Sequence, residues 1–416
     1  MIQRLLNKFY HFLRRTQKYT QTDNVYLVKY GSWLTLGQLI SAAAAFLLSI
    51  AFANLLSKET FGIYRYVLSI AGILAIPTLS GMNTAVIQAV ARGYEGVIFS
   101  ALKTKIRWGL LGGLAGLILS GYYYFNNNPT LTICFLIAAI FSPFMDSFTL
   151  YGALLGGKKL FDISTKYRVI TQIISVSILI ATLFLTKNVF LILFAYFISY
   201  TSLRFIFLKI TLKKISLNQK EDPKTLPYGK YLSLLDVIGT ISNYLDRVLV
   251  FHYLGAIELA IYSFAIIPSE QIKGFLKVVH SLALPKFAQR EKEEIKKTVF
   301  KKMVKFSFFI AIIVILYIIL APFLYKIIFP QYMDSVFCSQ IFSISLITAI
   351  AILPTAALQA KMAKKQLYQL NIYSSLIQIA MLFLFIHFYG LLGVILARII
   401  YRFINAVLLC FLIKKI

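Results

Sequence analysis

Asp236, Thr240, Asn243 and Arg247 recur at intervals of four, three and four residues inside an otherwise apolar run. On an α-helix turning 100° per residue this spacing gathers the four side chains within about 40° of one another, giving the helix one polar face. The arginine suits an anionic group, because a guanidinium forks two N–H donors onto two phosphate or carboxylate oxygens. Its alternative is a buried pair with Asp146 or Asp246. Asp246 lies off the stripe and is expected to pair with a neighbouring helix. Arg398 and Arg402, one turn apart in a late apolar run, divide the same way between anion contact and structural pairing, with Arg402 leaning structural. Arg65 beside Tyr64 reads as an anion contact or an interfacial anchor. Glu270 is placed to take up a proton or a sodium ion, or to pair with Lys273 one turn on. Asp236 and Asp146 are carboxylates in the same apolar setting and share that ion-coupling reading. Gln378 and Ser374 can hydrogen-bond either sugar hydroxyls or a neighbouring helix.

Other chemistry is poorly provided for. GALLGGKK (152–159) has the glycine spacing and lysine of a phosphate-binding loop, but lysine stands where a magnesium-binding Ser or Thr is needed, and no strand precedes it. It reads as a glycine helix stop followed by basic residues. Cys134, Cys338 and Cys410 are too dispersed for a disulfide framework, and His11, His252, His280 and His387 supply no metal-ligand set. Neither a metal nor an organic cofactor is expected.

The elements that must position these residues follow from composition. The 416-residue chain is 59% hydrophobic and only 14% charged, against about 45–50% and about 25% in soluble domains. Such a chain belongs in a bilayer. Runs of about 20 mostly apolar residues separated by polar loops predict twelve spans. Their limits are 31–56, 62–90, 108–125, 130–155, 167–186 and 188–208, then 231–253, 259–283, 303–328, 336–359, 367–387 and 390–412. The formal charge of +28 would suggest nucleic acid on a soluble protein. Here Lys and Arg crowd the N-terminal segment, 91–107, 156–166, 209–230, 284–302, 360–366 and the tail. Lys58, Lys187 and Lys326 alone face the other side, and Arg65, Arg247, Arg398 and Arg402 lie within the bilayer. The asymmetry predicts cytoplasmic basic loops and two cytoplasmic termini, with no nucleic-acid partner. The first apolar run starts too far in for a cleavable signal, so the N-terminus is expected to be retained.

Shifted by 198 residues the two halves align without a gap, placing Leu56 on Leu254, Ile63 on Ile261, Tyr64 on Tyr262, Tyr66 on Phe264 and Arg92 on Arg290. An offset of six spans keeps both halves in the same orientation. Parallel repeats of this kind mark transporters and place a substrate site near the midplane between them. The domains expected are a basic segment (1–30), a six-helix lobe (31–212), a linker (213–229) and a second lobe (230–416). Glycines at 109, 112, 113 and 116, with Ser41 and Ala45, allow close helix packing. Pro77, Pro143, Pro268, Pro322 and Pro354 are placed to kink their spans.

The stretches LLSKETFGIYRY (55–66), GMNTAVIQAVARG (81–93), LGAIELAIYSFA with Pro268 (254–268) and YGLLGVILAR (389–398) resemble the polysaccharide-transport, or O-antigen flippase, family. That family lies within the multidrug/oligosaccharidyl-lipid/polysaccharide exporter superfamily. The resemblance implies an all-α polytopic protein of two six-helix lobes around a central cavity, working by alternating access in the bacterial inner membrane. It implies an undecaprenyl-pyrophosphate-linked oligosaccharide as cargo, held by Arg247 and Arg398, with polysaccharide polymerase and chain-length proteins as further partners. A drug exporter of the same superfamily would favour an acidic lumen, whereas four acids and four arginines balance here. A lipid II flippase would usually carry two further spans. A membrane polymerase or ligase would place catalytic residues on a large external loop, and the external connectors here are short.

Overall fold

The computed structural model describes residues 24–288, 292–361 and 363–414, and all its regular elements are helical. The first half holds α1 (Asn24–Leu55), α2 (Lys58–Leu74), α3 (Gly81–Ala91), α4 (Val97–Phe125), α5 (Pro129–Met145), α6 (Leu150–Gly157), α7 (Phe161–Leu185) and α8 (Val189–Lys214). The second holds α9 (Thr225–Leu254), α10 (Ala256–Ala288), α11 (Lys292–Ile328), α12 (Ser335–Ser343), α13 (Ile352–Ala360) and α14 (Lys364–Lys414). Local sequence sets the boundaries. The Ser57 hydroxyl accepts from the Thr60 N–H at the start of α2, and Asn128 caps α5 just before Pro129. A 3₁₀ turn at Ile76–Thr78 contains Pro77, which has no N–H to donate, and α2 and α3 are bent by 42° across it. Short 3₁₀ segments also separate α5 from α6 (Ser147–Thr149) and α12 from α13 (Ile344–Ala351).

Among the described residues seven helices are long and apolar enough to cross a membrane, or eight if the bent α2–α3 pair counts as one span. The chain is thus a multi-pass membrane protein. Glycine and tyrosine dilute α4, while α9 and α10 carry Asp, Glu and Arg, so these three meet no simple apolar criterion. The expected spans 367–387 and 390–412 run together as α14, where Gly390 alone breaks the helix at φ 55°. Arg290, the last residue of the repeat alignment, lies outside the described residues.

In lipid, helix association rests on close packing and hydrogen bonds rather than on the hydrophobic effect. The α4 glycines meet that requirement: a Cβ at Gly112 would sit 2.1 Å from the Leu74 carbonyl oxygen, and one at Gly116 2.9 Å from Ala139 Cβ. One side of α11 is left exposed and apolar, with Phe308, Phe309, Ile312, Ile315, Ile319, Phe323 and Ile327, as a lipid-facing surface should be.

The two halves touch where α2 meets α9 and α10 and where α3 meets α9. Phe61 packs on Phe264 at 4.9 Å between ring centres, Phe264 on Tyr332 at 3.8 Å, and Tyr66 stacks on Phe251 at 3.8 Å. The repeat-related Tyr64 and Tyr262 are both buried. At the other end of α9 the Gly81 N–H donates to Ser233 Oγ. The segment joining α8 to α9 is tied to the first half by the Arg92–Asp222 ion pair and by the Asn218 amide, which donates to the Gly93 carbonyl.

Candidate functional site

The buried face of α9 carries Gly229, Ser233, Ser242, Asp246, Leu249 and Val250. Asp246, 1% exposed, accepts from Arg398 Nη1 of α14 at 2.8 Å and from the Tyr262 hydroxyl of α10 at 2.6 Å. Arg398 also reaches the Tyr262 oxygen (3.0 Å) and Glu270 (3.4 Å). Arg402, one turn on, bonds Glu270 and donates to Ser345 Oγ at 2.8 Å. Both guanidiniums lie against the Phe342 ring, 5.3 and 4.8 Å from its centre. Every charge here has an opposite neighbour, as burial in a low-dielectric interior demands. The network joins α9, α10, α14 and the broken fourth span of the second half.

The polar stripe of α9 turns away from this network. Asp236 and Asn243 are exposed, and Thr240 and Arg247 are half-buried. Asp236 accepts from Ser80 Oγ at 3.3 Å and, among the described residues, has no basic partner. Arg247 stands over the Tyr244 ring at 5.9 Å. Its Nε is buried and makes no hydrogen bond, as is that of Arg65 on α2. The two guanidiniums lie close enough to repel each other, one from each half of the chain. Among the described residues neither forms an ion pair, although the Asp246 carboxylate, bonded to Arg398 and Tyr262, is an electrostatic neighbour of both. Arg247 therefore pairs with neither Asp146 nor Asp246.

Asp146, between α5 and its 3₁₀ turn, takes Lys105 Nζ and Thr78 Oγ1, both at 2.9 Å, on its Oδ2 oxygen. Lys105, assigned above to the cytoplasmic loop 91–107, is instead wholly buried on α4 and also donates to Asn83 Oδ1 at 3.3 Å. It continues the stripe of Gly109, Gly112 and Gly116, and that register was the signal for its burial. Arg204 of α8 donates to the Met145 carbonyl at 2.8 Å. Arg204 and Arg402 are one repeat of 198 residues apart, and each reaches the break in the fourth span of its own half. Gln378 is buried, its Nε2 donating to the Ser242 carbonyl at 3.0 Å, and Ser374 donates to Asn405 Oδ1. Both make interhelical hydrogen bonds between α14 and α9 or within the α14 hairpin. Outside the membrane, the Lys158–Glu95 pair fixes the loop after GALLGGKK and holds the Glu95 carboxyl below its ordinary range. The glycine motif is the C-terminal end of α6, as a helix stop requires.

Helices broken in the second and fourth spans, halves that meet along α2, α9 and α10, and paired charges inside apolar helices are the architecture of a multi-pass membrane protein. The chain belongs to the polysaccharide biosynthesis protein family, whose profile matches residues 27–291, more than half its length. Its fold is similar to that of the lipid II flippase MurJ in an inward closed conformation (TM-score 0.69, 17% identity, 93% of this chain and 87% of that one). It is similar also to an outward-facing multidrug resistance MATE transporter (TM-score 0.59, 14% identity, 93% and 95%). A third likeness is to a MOP superfamily transporter from Pyrococcus furiosus Vc1 described as having a binding pocket of reverse polarity (TM-score 0.58, 13% identity, 93% and 95%). No curated protein sequence matches significantly.

Proposed function

We propose that the protein is a flippase moving undecaprenyl-pyrophosphate-linked oligosaccharide repeat units from the cytoplasmic to the periplasmic leaflet of a bacterial inner membrane, in O-antigen, capsule or exopolysaccharide biosynthesis. In this reading the chain crosses the bilayer twelve times with both termini in the cytoplasm. Lobes 31–212 and 230–416 rock about the site by alternating access. The carrying observation is the Arg65–Arg247 pair. Two guanidiniums, one from each half, that form no ion pair among the described residues suit a pyrophosphate, whose two phosphoryl groups offer a fork of oxygens to each. Asn243 and Thr240 extend the same face towards polar cargo. Arg398 is spoken for by Asp246, Glu270 and Tyr262, and acts by fixing α9 rather than by holding the anion.

A proton or sodium ion moving the other way would bias the cycle by about 2.3 kcal/mol per charge per 100 mV. Asp236 is the favoured seat, since it is exposed and among the described residues bonds a serine and no cation, whereas Glu270 and Asp146 are each held by cations. Polymerase and chain-length proteins would receive the flipped unit.

The deciding experiment deletes the gene and finds the leaflet on which lipid-linked repeat units accumulate. Cytoplasmic accumulation supports the flippase. External accumulation of unpolymerised units would favour a polymerase or ligase, and unchanged polysaccharide with raised drug sensitivity would favour an ion-coupled multidrug exporter.

A further inference from the structure

A cavity of about 160 Å³ opens in the first half, lined among others by Gly72, Ser142, Asp146, Tyr196, Arg204 and Tyr244, the last of which lies under Arg247. An apolar cavity of about 150 Å³ elsewhere holds benzene, so this partly open space takes the ring of one pyranose, with its exocyclic groups extending into the mouth. Its walls are not those of a hydrocarbon site. Asp146 offers Oδ1, since Lys105 and Thr78 both bond Oδ2, and its side chain is 34% exposed. Arg204 spends Nη1 on the Met145 carbonyl and has further N–H donors. Tyr196 and Tyr244 supply aromatic surfaces. The Tyr244 ring rests on Gly72, where a Cβ would come within 2.3 Å of it, so α9 of the second half closes a pocket built on the first.

We infer that this cavity is the subsite for a single neutral pyranose of the cargo, the sugar next to the pyrophosphate. The inference rests on the flippase reading and adds to it where the first sugar sits. A pyranose has apolar C–H faces, which stack on the negative face of a tyrosine ring, and a rim of hydroxyls that need acceptors and donors in the ring plane. Asp146 Oδ1 accepts from such hydroxyls, as can the Ser142 oxygen, whose hydrogen goes to the Ala139 carbonyl, while Arg204 donates. A cationic guest fits poorly, because Lys105 and Arg204 outweigh Asp146 and leave the pocket with one net positive charge. An anionic guest has the stronger cationic pair next door. Tyr244 lies both against the cavity and under Arg247, so one residue spans sugar and pyrophosphate subsites.

The test uses full-length protein in nanodiscs and three radiolabelled probes: undecaprenyl pyrophosphate, the same lipid carrying one N-acetylhexosamine or hexose from a small panel, and tetraphenylphosphonium. The wild type is expected to bind at least one glycosylated lipid about tenfold tighter than undecaprenyl pyrophosphate alone. Asp146→Asn and Tyr244→Leu should erase that increment, and Arg247→Ala should weaken both lipids together. Tyr244→Leu leaves the Lys105–Asp146 pair intact and decides the matter if Asp146→Asn fails to fold. Equal binding of bare and glycosylated lipids across the panel, or an increment surviving in Tyr244→Leu, would overturn the subsite while leaving the flippase reading in place. Binding of tetraphenylphosphonium without either lipid would overturn both.

Discussion

Arg398 and Asp246, 152 residues apart, meet in a 2.8 Å ion pair between α14 and α9, while Arg247, the next residue along α9, forms no ion pair among the described residues. One helical step turns a side chain by 100°, so Asp246 faces the packed second half and Arg247 faces the junction of the two halves. Adjacent charges are thereby divided between structure and site: the first anchors the helix that presents the second.

Removing Asp246 should be a folding defect before it is a transport defect. Asp246→Ala leaves Arg398 buried with Glu270 as its remaining anion, a partner it shares with Arg402. Breaking one side of a buried pair costs about 3–5 kcal/mol, so the melting temperature in detergent should fall by several degrees. Asp246→Ala combined with Arg398→Met should recover most of the loss, because no charge is then stranded. A single variant as stable as the wild type would show that the pair contributes nothing.

Arg247 should behave oppositely. Arg247→Ala removes a cation with no ion-pair partner among the described residues, so membrane insertion and melting temperature should hold or improve as repulsion with Arg65 is relieved. Binding of undecaprenyl pyrophosphate should fall at least about tenfold, the usual loss for a hydrogen bond to a charged group. Arg247→Lys should be intermediate, keeping the charge and losing the fork. Export at wild-type rate in Arg247→Ala would remove the arginine from the site.

Apolar runs and basic loops carried much of the fold into plain view, since length and charge asymmetry are local properties of the chain. The α9 stripe was visible for the same reason: four residues on one helix share a face whatever surrounds them. Lys105 was hidden because Lys103 and Arg107 flank it, and composition cannot tell a buried lysine from two solvated ones. Its place in line with Gly109 and Gly112 told them apart. Arg65 beside Arg247 and Tyr244 on Gly72 join the two halves, and no spacing within one helix encodes which residues of two helices meet. The segment Ile344–Ala351 lacks proline and glycine itself, and the breaker is Pro354 just beyond it, which has no N–H to offer the Ile350 carbonyl.

The Lys158–Glu95 pair gives the loops at this end of the helices a pH dependence with a definite sign. The Lys158 hydrogen bond depresses the Glu95 carboxyl, whose ordinary value is about 4.3. A depressed folded-state pKa contributes stability that is complete above the ordinary value and lost as pH falls through the folded one. Hydrogen exchange of the Glu95–Val97 amides should therefore be flat from neutrality down to about pH 5 and accelerate only below about pH 4, beyond its intrinsic pH trend. Lys158→Met should abolish that acid-side change. A break near neutral pH in the wild type would point to a different titrating group.

Gly62 offers a test of the contact between the halves. A Cβ there would lie 1.9 Å from the Ala256 carbonyl oxygen, a contact that backbone against backbone cannot absorb. Gly62→Val must push the start of α2 away from the start of α10 and loosen the Phe61–Phe264 contact. With the three native cysteines replaced, spin labels at the exposed positions Glu59 and Ile257 should report a longer and broader distance than in the unsubstituted chain. If the two lobes alternate about this contact, export should fall because the closed arrangement of this end is disfavoured, while cargo binding at Arg65 and Arg247, further along the helices, survives. An unchanged distance distribution together with normal export would mean that α2 and α10 do not need to meet here for the protein to work.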